Sequence, residues 1–217
     1  QHQRNVINIS QKNMLNRDKT PKEKVVIIDY GAGNIQSLKF ALQRHGYQGI
    51  LSGNAEEIVS ADKVIFPGVG EAGSAMRKLQ KSGLDLLIPE LKQPVLGICL
   101  GMQLMCQRSE EGNTRGLDIF QVEVRKFTDA VKVPHIGWNQ IHELQSPLFE
   151  GVKQDEFIYM VHSYYAPLSS ETIAITDYGL AYSAALHKAN FYGLQFHPEK
   201  SGNVGERILE NFLKLEH

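Results

Sequence analysis

The sequence predicts an α/β fold in which a central, mostly parallel sheet is flanked by helices and joined by an additional region of antiparallel strands. In the first half of the chain, strand-like runs that are apolar throughout alternate with stretches whose apolar residues recur at helical spacing. This pattern is typical of a parallel sheet covered on both faces. In the second half, short strand candidates follow one another closely with turn residues between them, which favours antiparallel pairing.

The first half supplies the elements of the parallel sheet. Apolar runs predict strands at residues 25–29, 63–66 and 95–98. Apolar residues at helical spacing predict helices at residues 35–45, 75–79 and 84–91. Ligands of such folds bind beyond the carboxyl ends of the strands. The loops that follow Phe66 and Ile98 are therefore the expected place for a functional site.

The second half supplies short strands and a closing helix. The strands are predicted at residues 122–127, 138–142, 157–161, 172–176, 181–186 and 191–196. A helix is predicted over residues 204–215, because the apolar side chains there share one helical face.

Residues 1–24 differ in character from the rest of the chain. They are polar, carry six basic and two acidic residues, and lack the apolar stretch of a secretory signal. We expect a polar N-terminal extension, either a flexible arm or a cloning remnant, followed by one domain over residues 25–217.

The composition argues against several classes of protein. The 217 residues include 23 basic and 24 acidic ones, which gives no electrostatic basis for binding nucleic acid or an anionic membrane. No apolar run approaches the roughly 18 residues of a membrane-spanning helix. Cys99 and Cys106 form neither a zinc spacing nor a disulfide framework, so a reducing, cytoplasmic setting is expected. The spacing of Cys106 from Cys99 predicts that Cys106 packs on a helix.

The strongest candidate for a catalytic residue is Cys99, which lies between Gly97 and Gly101 at the end of the third strand. Gly-x-Cys-x-Gly is the cysteine form of the nucleophile elbow, a sharp strand-to-helix turn that exposes the nucleophile. The start of the following helix favours a thiolate. An inert, buried cysteine in a tight turn fits the same pattern, and this segment alone leaves both interpretations open.

A cysteine nucleophile needs a base and a group that orients the base. His197 and Glu199 follow a predicted strand and can supply both, although a strand-end histidine beside a solvated acid would look the same. An oxyanion hole is also needed. The Gly68-Val69-Gly70 segment can direct backbone N–H groups at an oxyanion, and the N–H of Leu100 is the natural second donor. An ordinary strand-to-helix turn is the alternative.

Two further segments have less specific patterns. The polar residues 162–165, His-Ser-Tyr-Tyr, follow a predicted strand. Their side chains could line a pocket, or they could be the exposed residues of a half-buried strand. The Gly31-Ala-Gly33 segment resembles a dinucleotide-binding loop, but Gln36 stands where that motif requires Gly or Ala. We therefore predict a turn there and no bound cofactor.

Six short segments follow one another along residues 25–215: 29-DYGAGN-34, 66-FPGVG-70, 97-GICLGMQ-103, 134-PHIGWN-139, 161-VHSY-164 and 195-QFHPEKS-201. Together they resemble the class I (triad) glutamine amidotransferases, and most closely the glutaminase subunits of imidazole glycerol phosphate synthase in histidine biosynthesis. The resemblance implies the class I glutamine amidotransferase fold over residues 25–217. The elbow and the His-Pro-Glu segment mark the superfamily, and the fourth and sixth segments point to these subunits.

The resemblance also implies roles for individual residues. Cys99 would be the nucleophile of a triad with His197 and Glu199, and the N–H groups of Val69 and Leu100 would form the oxyanion hole. The residues expected to contact glutamine are Gly68, Gly70, Gln103, Ser163 and Tyr164. The residues expected to face a synthase partner are Trp138, His162 and Lys200. Family members often have Thr at position 163, and Ser163 keeps its hydroxyl.

The implied reaction is hydrolysis of L-glutamine to glutamate and ammonia through a glutamyl thioester, with no metal or organic cofactor. The ammonia would pass to a cyclase partner with a (β/α)₈ barrel, which makes imidazole glycerol phosphate. Such glutaminases are nearly silent until the partner binds its ligand. We hypothesise that a peptide flip in the 67–70 segment moves the Val69 N–H into or out of the oxyanion hole.

Three alternatives are compatible with the sequence. A paralogous glutaminase could supply ammonia to a sugar-modifying partner in surface polysaccharide synthesis. A cysteine peptidase or esterase on a related scaffold would act on peptides or esters without a partner. A binding module with a relic site would have no activity in any complex.

Overall fold

The computed structural model describes residues 22–33 and 35–216. The N-terminal extension predicted over residues 1–24 therefore lies almost entirely outside the described residues, as does Asn34 of the first segment. The described strands are β1 Val25–Ile28, β2 Gly49–Ser52, β3 Lys63–Phe66, β4 Val95–Ile98, β5 Cys106–Ser109, β6 Thr114–Arg115, β7 Phe120–Lys126, β8 His135–Ile141, β9 Glu156–His162, β10 Tyr164–Tyr165, β11 Thr172–Asp177, β12 Ala181–Lys188 and β13 Phe191–Leu194. The described α-helices are α1 Gln36–Arg44, α2 Ala55–Val59, α3 Ala72–Ser82, α4 Leu84–Leu87, α5 Leu100–Met105 and α6 Gly202–Leu213.

A seven-stranded sheet forms the centre of the molecule, in the order β11-β12-β13-β4-β3-β1-β2. The neighbours from β13 to β2 run parallel, and β12 and β11 extend this sheet by antiparallel pairing. Every residue of β1, β3 and β4 is buried, as expected for parallel strands covered on both faces. The mostly parallel sheet is thus confirmed.

The additional antiparallel region is also confirmed. Strands β8 and β9 form a two-stranded antiparallel ribbon in which His135 pairs with His162 and Ile141 with Glu156. A small four-stranded sheet has the order β10-β7-β5-β6. Its outer pairs, β10–β7 and β5–β6, are antiparallel, whereas β5 and β7 run parallel.

The central sheet separates two hydrophobic clusters. Val25 and Ile27 of β1 belong to one cluster, whereas Val26 and Ile28 belong to the other, because successive side chains of a strand point to opposite faces. Helices α1 and α6 pack on the first side, and α3 packs on the second. No helix within the described part of the chain is long and apolar enough to cross a membrane.

The local pattern missed or misplaced several features. Strands β5, β6 and β10 were not predicted, and the helix expected over residues 84–91 is α-helical only to Leu87. Strand β2 and helix α2 were not predicted, because their few apolar residues show no clear period. Cys106 does not lie on a helix: α5 ends at Met105, and Cys106 begins β5. The reason is long-range, since the backbone of Cys106 pairs with Phe120 of β7. Its side chain is fully buried.

Candidate active site

Cys99 occupies the turn between β4 and α5 in a conformation that few side chains adopt. Its φ of 53° and ψ of −113° lie outside the regions favoured by residues other than glycine, and such strain costs about 1–3 kcal/mol. Two backbone hydrogen bonds impose the conformation: the Cys99 N–H donates to the Leu194 carbonyl at 2.8 Å, and the Gln103 N–H donates to the Cys99 carbonyl at 3.2 Å.

The glycines on either side of Cys99 are required by close approach. A Cβ atom on Gly101 would overlap the Phe66 carbonyl oxygen and lie 2.9 Å from the Phe66 carbonyl carbon. A Cβ atom on Gly97 would lie 2.9 Å from the Met102 nitrogen. Since these neighbours are backbone atoms, they cannot move aside as a flexible side chain would. The turn therefore brings Cys99 against the segment that follows β3.

His197 lies just after β13, in the same cavity as Cys99. Its Nδ1 donates to Glu199 Oε1 at 2.7 Å, which leaves Nε2 as the free ring nitrogen. Nε2 is buried and makes no hydrogen bond of ordinary geometry to any described residue. The ring therefore has the orientation that a triad base needs.

The protonation state of His197 reflects opposing effects. Burial lowers the pKa of the ring, but the interactions with Cys99 and Glu199 outweigh that effect and raise the pKa to about 10. At neutral pH the ring therefore carries a proton that it can give to a leaving amine.

A cavity of about 290 Å³ opens over Cys99 and His197. Its volume suits a ligand smaller than the drug-sized molecules held by pockets of about 300–1,000 Å³. The other lining residues are Val69, Gly70, Leu100, Gln103, Glu111, Pro134, Val161, His162, Ser163 and Tyr164. Gly68 lies behind this wall and borders, with Glu199 and Lys200, a second cavity of about 100 Å³. Apart from Gly68, the residues predicted to contact a substrate thus line one cavity.

The predicted oxyanion donors do not converge in this conformation. The Leu100 N–H donates to the Gly68 carbonyl at 3.3 Å, so that this carbonyl occupies the side on which an oxyanion would bind. The buried Tyr30 hydroxyl donates to the preceding carbonyl, that of Pro67, at 2.8 Å. A Cβ atom on Gly68 would lie 2.7 Å from the same hydroxyl. The segment after β3 is therefore tightly held, with a carbonyl where the prediction placed an N–H.

Gln103 makes two buried hydrogen bonds that its sequence context did not reveal. Its Nε2 donates to the Tyr164 carbonyl and to Gln195 Oε1, each at 2.9 Å. Both amide hydrogens are thereby used within the protein. The side-chain oxygen of Gln103 is left as the group that can face a ligand.

The three residues predicted to face a partner occupy different environments. Trp138 is 55% exposed, and Lys200 is exposed in the short turn after His197. His162 is buried: its Nδ1 lies 2.7 Å from the Tyr164 carbonyl and its Nε2 lies 3.0 Å from the Tyr182 hydroxyl. Burial lowers the pKa of His162 to about 3, so the ring is neutral. His162 thus lies beneath the exposed surface, where it lines the cavity.

Glu111 lines the cavity although no sequence motif singled it out. Its carboxylate accepts the Ala72 N–H at 2.5 Å, at the start of α3. Burial raises the pKa of its carboxyl group, and the hydrogen bond from Ala72 opposes that effect. Glu111 reaches the cavity only because β5 and β7 place its turn beside α3. Within residues 22–33 and 35–216, no group of three or more His, Cys, Asp or Glu side chains could hold a metal ion.

The chain is similar to known proteins over most of its length. Residues 26–215 match the family described as Glutamine amidotransferase class-I. The imidazole glycerol phosphate synthase subunit HisH of Bacteroides fragilis is 57% identical over 195 residues, which span 88% of this chain and all of that protein. The HisH subunit of Salmonella typhimurium is 46% identical over 196 residues, which span 88% of this chain and 99% of that protein.

Solved structures share the fold at lower sequence identity. PurLQS from Thermotoga maritima superposes with a TM-score of 0.68 at 15% identity, over 88% of this chain and 98% of that one. A glutamine amidotransferase from the same organism superposes with a TM-score of 0.60 at 15% identity, over 87% of this chain and 81% of that one.

Proposed function

Because this chain belongs to the class-I glutamine amidotransferases, and within them to the HisH subunits of imidazole glycerol phosphate synthase, we propose that Cys99, His197 and Glu199 release ammonia from L-glutamine for that synthase. The chain is a glutamine amidotransferase subunit of histidine biosynthesis. The relationship favours this role over that of a glutaminase for polysaccharide synthesis. The observation that carries the site assignment is the 2.7 Å contact between His197 and Glu199 in the cavity that also holds Cys99.

The proposed reaction has two steps. The Cys99 sulfur attacks the side-chain amide carbon of glutamine, and His197 gives its proton to the departing ammonia, which leaves a glutamyl thioester. A water molecule that His197 deprotonates then attacks the thioester and releases glutamate. Glu199 keeps the ring oriented and stabilises its protonated form throughout.

The cavity offers groups for each end of glutamine. Gly70, Gln103, Ser163 and Tyr164 line the cavity and are proposed to contact glutamine. Gly68, which borders the second cavity, is proposed to contact it as well. A substrate amino acid also carries an α-ammonium group, and a carboxylate in the cavity wall attracts that charge. We assign this role to Glu111, which sequence motifs did not identify.

Replacing Glu111 with glutamine is expected to raise the KM for glutamine by about tenfold to a hundredfold, because a charged hydrogen bond contributes about 1.5–3 kcal/mol. The kcat should change much less, since the α-ammonium group lies away from the reacting amide. Steady-state kinetics of glutamate release would measure both constants. Glu110→Gln is the matched control, because Glu110 instead accepts the Lys126 N–H at 2.8 Å. Equal KM values for the two variants would contradict the assignment.

The partner surface is proposed to be the exposed face of the β8–β9 ribbon. Trp138 lies opposite Tyr159. Ile136 and Phe157 belong to the pairs two positions away on either side, so their side chains are on the same face as Trp138. Ile136, Trp138 and Phe157 are 61%, 55% and 52% exposed, and an apolar patch of this kind marks an interaction site. We propose that it docks the (β/α)₈-barrel cyclase, with Lys200 at the edge of the contact.

The conformation of the 67–70 segment supports regulation by the partner. With the Gly68 carbonyl bound to the Leu100 N–H, no oxyanion hole is assembled. Rotation of the Gly68–Val69 peptide would remove that carbonyl and bring the Val69 N–H beside the Leu100 N–H. Glycine at position 68 permits such a rotation, and we propose that the ligand-bound partner favours it.

The decisive experiment measures glutamate release by the isolated chain, by its complex with the cyclase, and by that complex with the cyclase ligand. We expect the last sample to exceed the first by about 10²–10³-fold, the contribution of an oxyanion donor. An isolated chain that works at the full rate of the complex would exclude the peptide rotation. A ligand-bound complex without glutamate release would contradict the proposed function itself.

A further inference from the structure

We infer that Gln195 is a positioning residue for the nucleophile: its side-chain amide directs an N–H group at the Cys99 sulfur, in an orientation that Gln103 and the Tyr164 carbonyl impose. This inference rests on the proposed function, in which Cys99 is the nucleophile. Gln195 does not line the cavity, and it affects the reaction only through its contact with the Cys99 sulfur.

The position of Gln195 is well defined. It follows β13 directly, is completely buried, and its backbone N–H donates to the Ala184 carbonyl at 2.9 Å. Its Nε2 lies 3.8 Å from Cys99 Sγ, a long hydrogen-bond distance suited to the large sulfur atom. Its Oε1 accepts from Gln103 Nε2 at 2.9 Å.

The orientation of the Gln103 and Gln195 side-chain amides follows from which of their neighbours can donate a hydrogen bond and which can accept one. The Tyr164 carbonyl can only accept, so Gln103 must present its NH₂ group there, at 2.9 Å. The second hydrogen of that NH₂ group faces Gln195, which must therefore present its oxygen. The NH₂ group of Gln195 is then the end that faces sulfur. Turning either amide around would bring like groups together at a buried site, where an unsatisfied polar group is costly.

The two partners of Cys99 Sγ favour different protonation states. The Val161 carbonyl, at 3.7 Å, can accept a hydrogen bond from the neutral thiol. The Gln195 N–H group, at 3.8 Å, can donate to the thiolate. Hydrogen bonding to the charged form of a group favours that form. Gln195 therefore opposes Val161 and increases the fraction of the reactive thiolate.

The test is the pH dependence with which iodoacetamide alkylates Cys99 in the complete chain bound to its cyclase. Gln195→Glu is the informative variant, because it keeps the shape and the oxygen that Gln103 needs but replaces the N–H donor with a second oxygen. We expect the midpoint pH of alkylation to rise by about one unit and kcat to fall about tenfold, with little change in KM. A midpoint that stays in place or falls would overturn the inference.

Two further variants keep the result interpretable. Gln93→Glu is the matched control, since Gln93 is also buried but donates to the Ile58 carbonyl at 2.9 Å, and its alkylation profile should equal that of the parent chain. If Gln195→Glu fails to fold, Gln103→Leu releases the Gln195 amide from its fixed orientation and should raise the midpoint by a smaller amount. An unmoved midpoint in that variant also overturns the inference. Alkylation needs no glutamine turnover, so this outcome is distinct from failure of the proposed function.

Discussion

Replacing Cys99 with alanine is expected to lower glutamate release by the ligand-bound complex by about 10⁴-fold or more, because removal of a covalent nucleophile eliminates the main reaction path. Binding of the cyclase should not change, since Cys99 lies inside the cavity and the proposed contact surface lies on the β8–β9 ribbon. A glutamate assay and a binding titration on the same preparation would measure the two effects separately.

The second cysteine provides the matched control. Cys106 is also buried, but it begins β5 and its thiol contacts the Met102 carbonyl at 3.5 Å. Burial raises the pKa of the Cys106 thiol, which disfavours the reactive thiolate. Cys106→Ala should therefore retain glutamate release. The assignment of Cys99 as nucleophile would be refuted if Cys99→Ala kept its activity. It would also be refuted if Cys106→Ala were the only one of the two variants to lose activity.

Replacing Gly101 with alanine is expected to damage both stability and activity. The added methyl group would overlap the Phe66 carbonyl and approach the Pro67 carbonyl carbon to 3.2 Å, so the start of α5 would have to move away from the segment after β3. We expect the free energy of unfolding to fall by about 3 kcal/mol, the upper end for overpacked interiors. Glutamate release should fall about 100-fold, because small displacements of reacting groups are costly. Urea denaturation and the glutamate assay would measure these effects.

Gly83→Ala separates this clash from the general cost of replacing a glycine. Gly83 ends α3 with a φ of 75°, and a Cβ atom there would meet no atom of the described residues within 4 Å. We expect a loss of about 1 kcal/mol of stability from the backbone conformation and no change in glutamate release. Similar losses of activity in the two variants would show that the contact of Gly101 with Phe66 has no special role.

Short segments of the chain carry enough information for much of the fold. The apolar runs at β1, β3 and β4 predicted a parallel sheet, because only strands buried on both faces tolerate such composition. The elbow at Cys99 and the His197-Pro-Glu199 segment could likewise be recognised from adjacent residues, since a tight turn and a short His-to-Glu link depend on local backbone geometry. The family resemblance was recognised from the elbow and the His-Pro-Glu segment together with four other segments between residues 29 and 164.

Other features depend on residues that are distant in sequence. Cys106 joins a strand because β7 pairs with it, His162 lies beneath the surface because the interior supplies partners for both ring nitrogens, and Glu111 enters the cavity from a turn beside α3. None of these placements has a local signature, because pairing and burial are decided between elements.

The direction in which the polar groups of the site point is the clearest example of a feature that depends on residues distant in sequence. Residue types near position 68 indicated an oxyanion segment, but packing against Leu100 turned the Gly68 carbonyl toward the site. The orientation of Gln195 similarly follows from the Tyr164 carbonyl through Gln103. Local sequence thus identified the chemical groups and their secondary structure, whereas tertiary packing decided which way they point, because a peptide or amide group can be reversed at little local cost and only its long-range partners select one orientation.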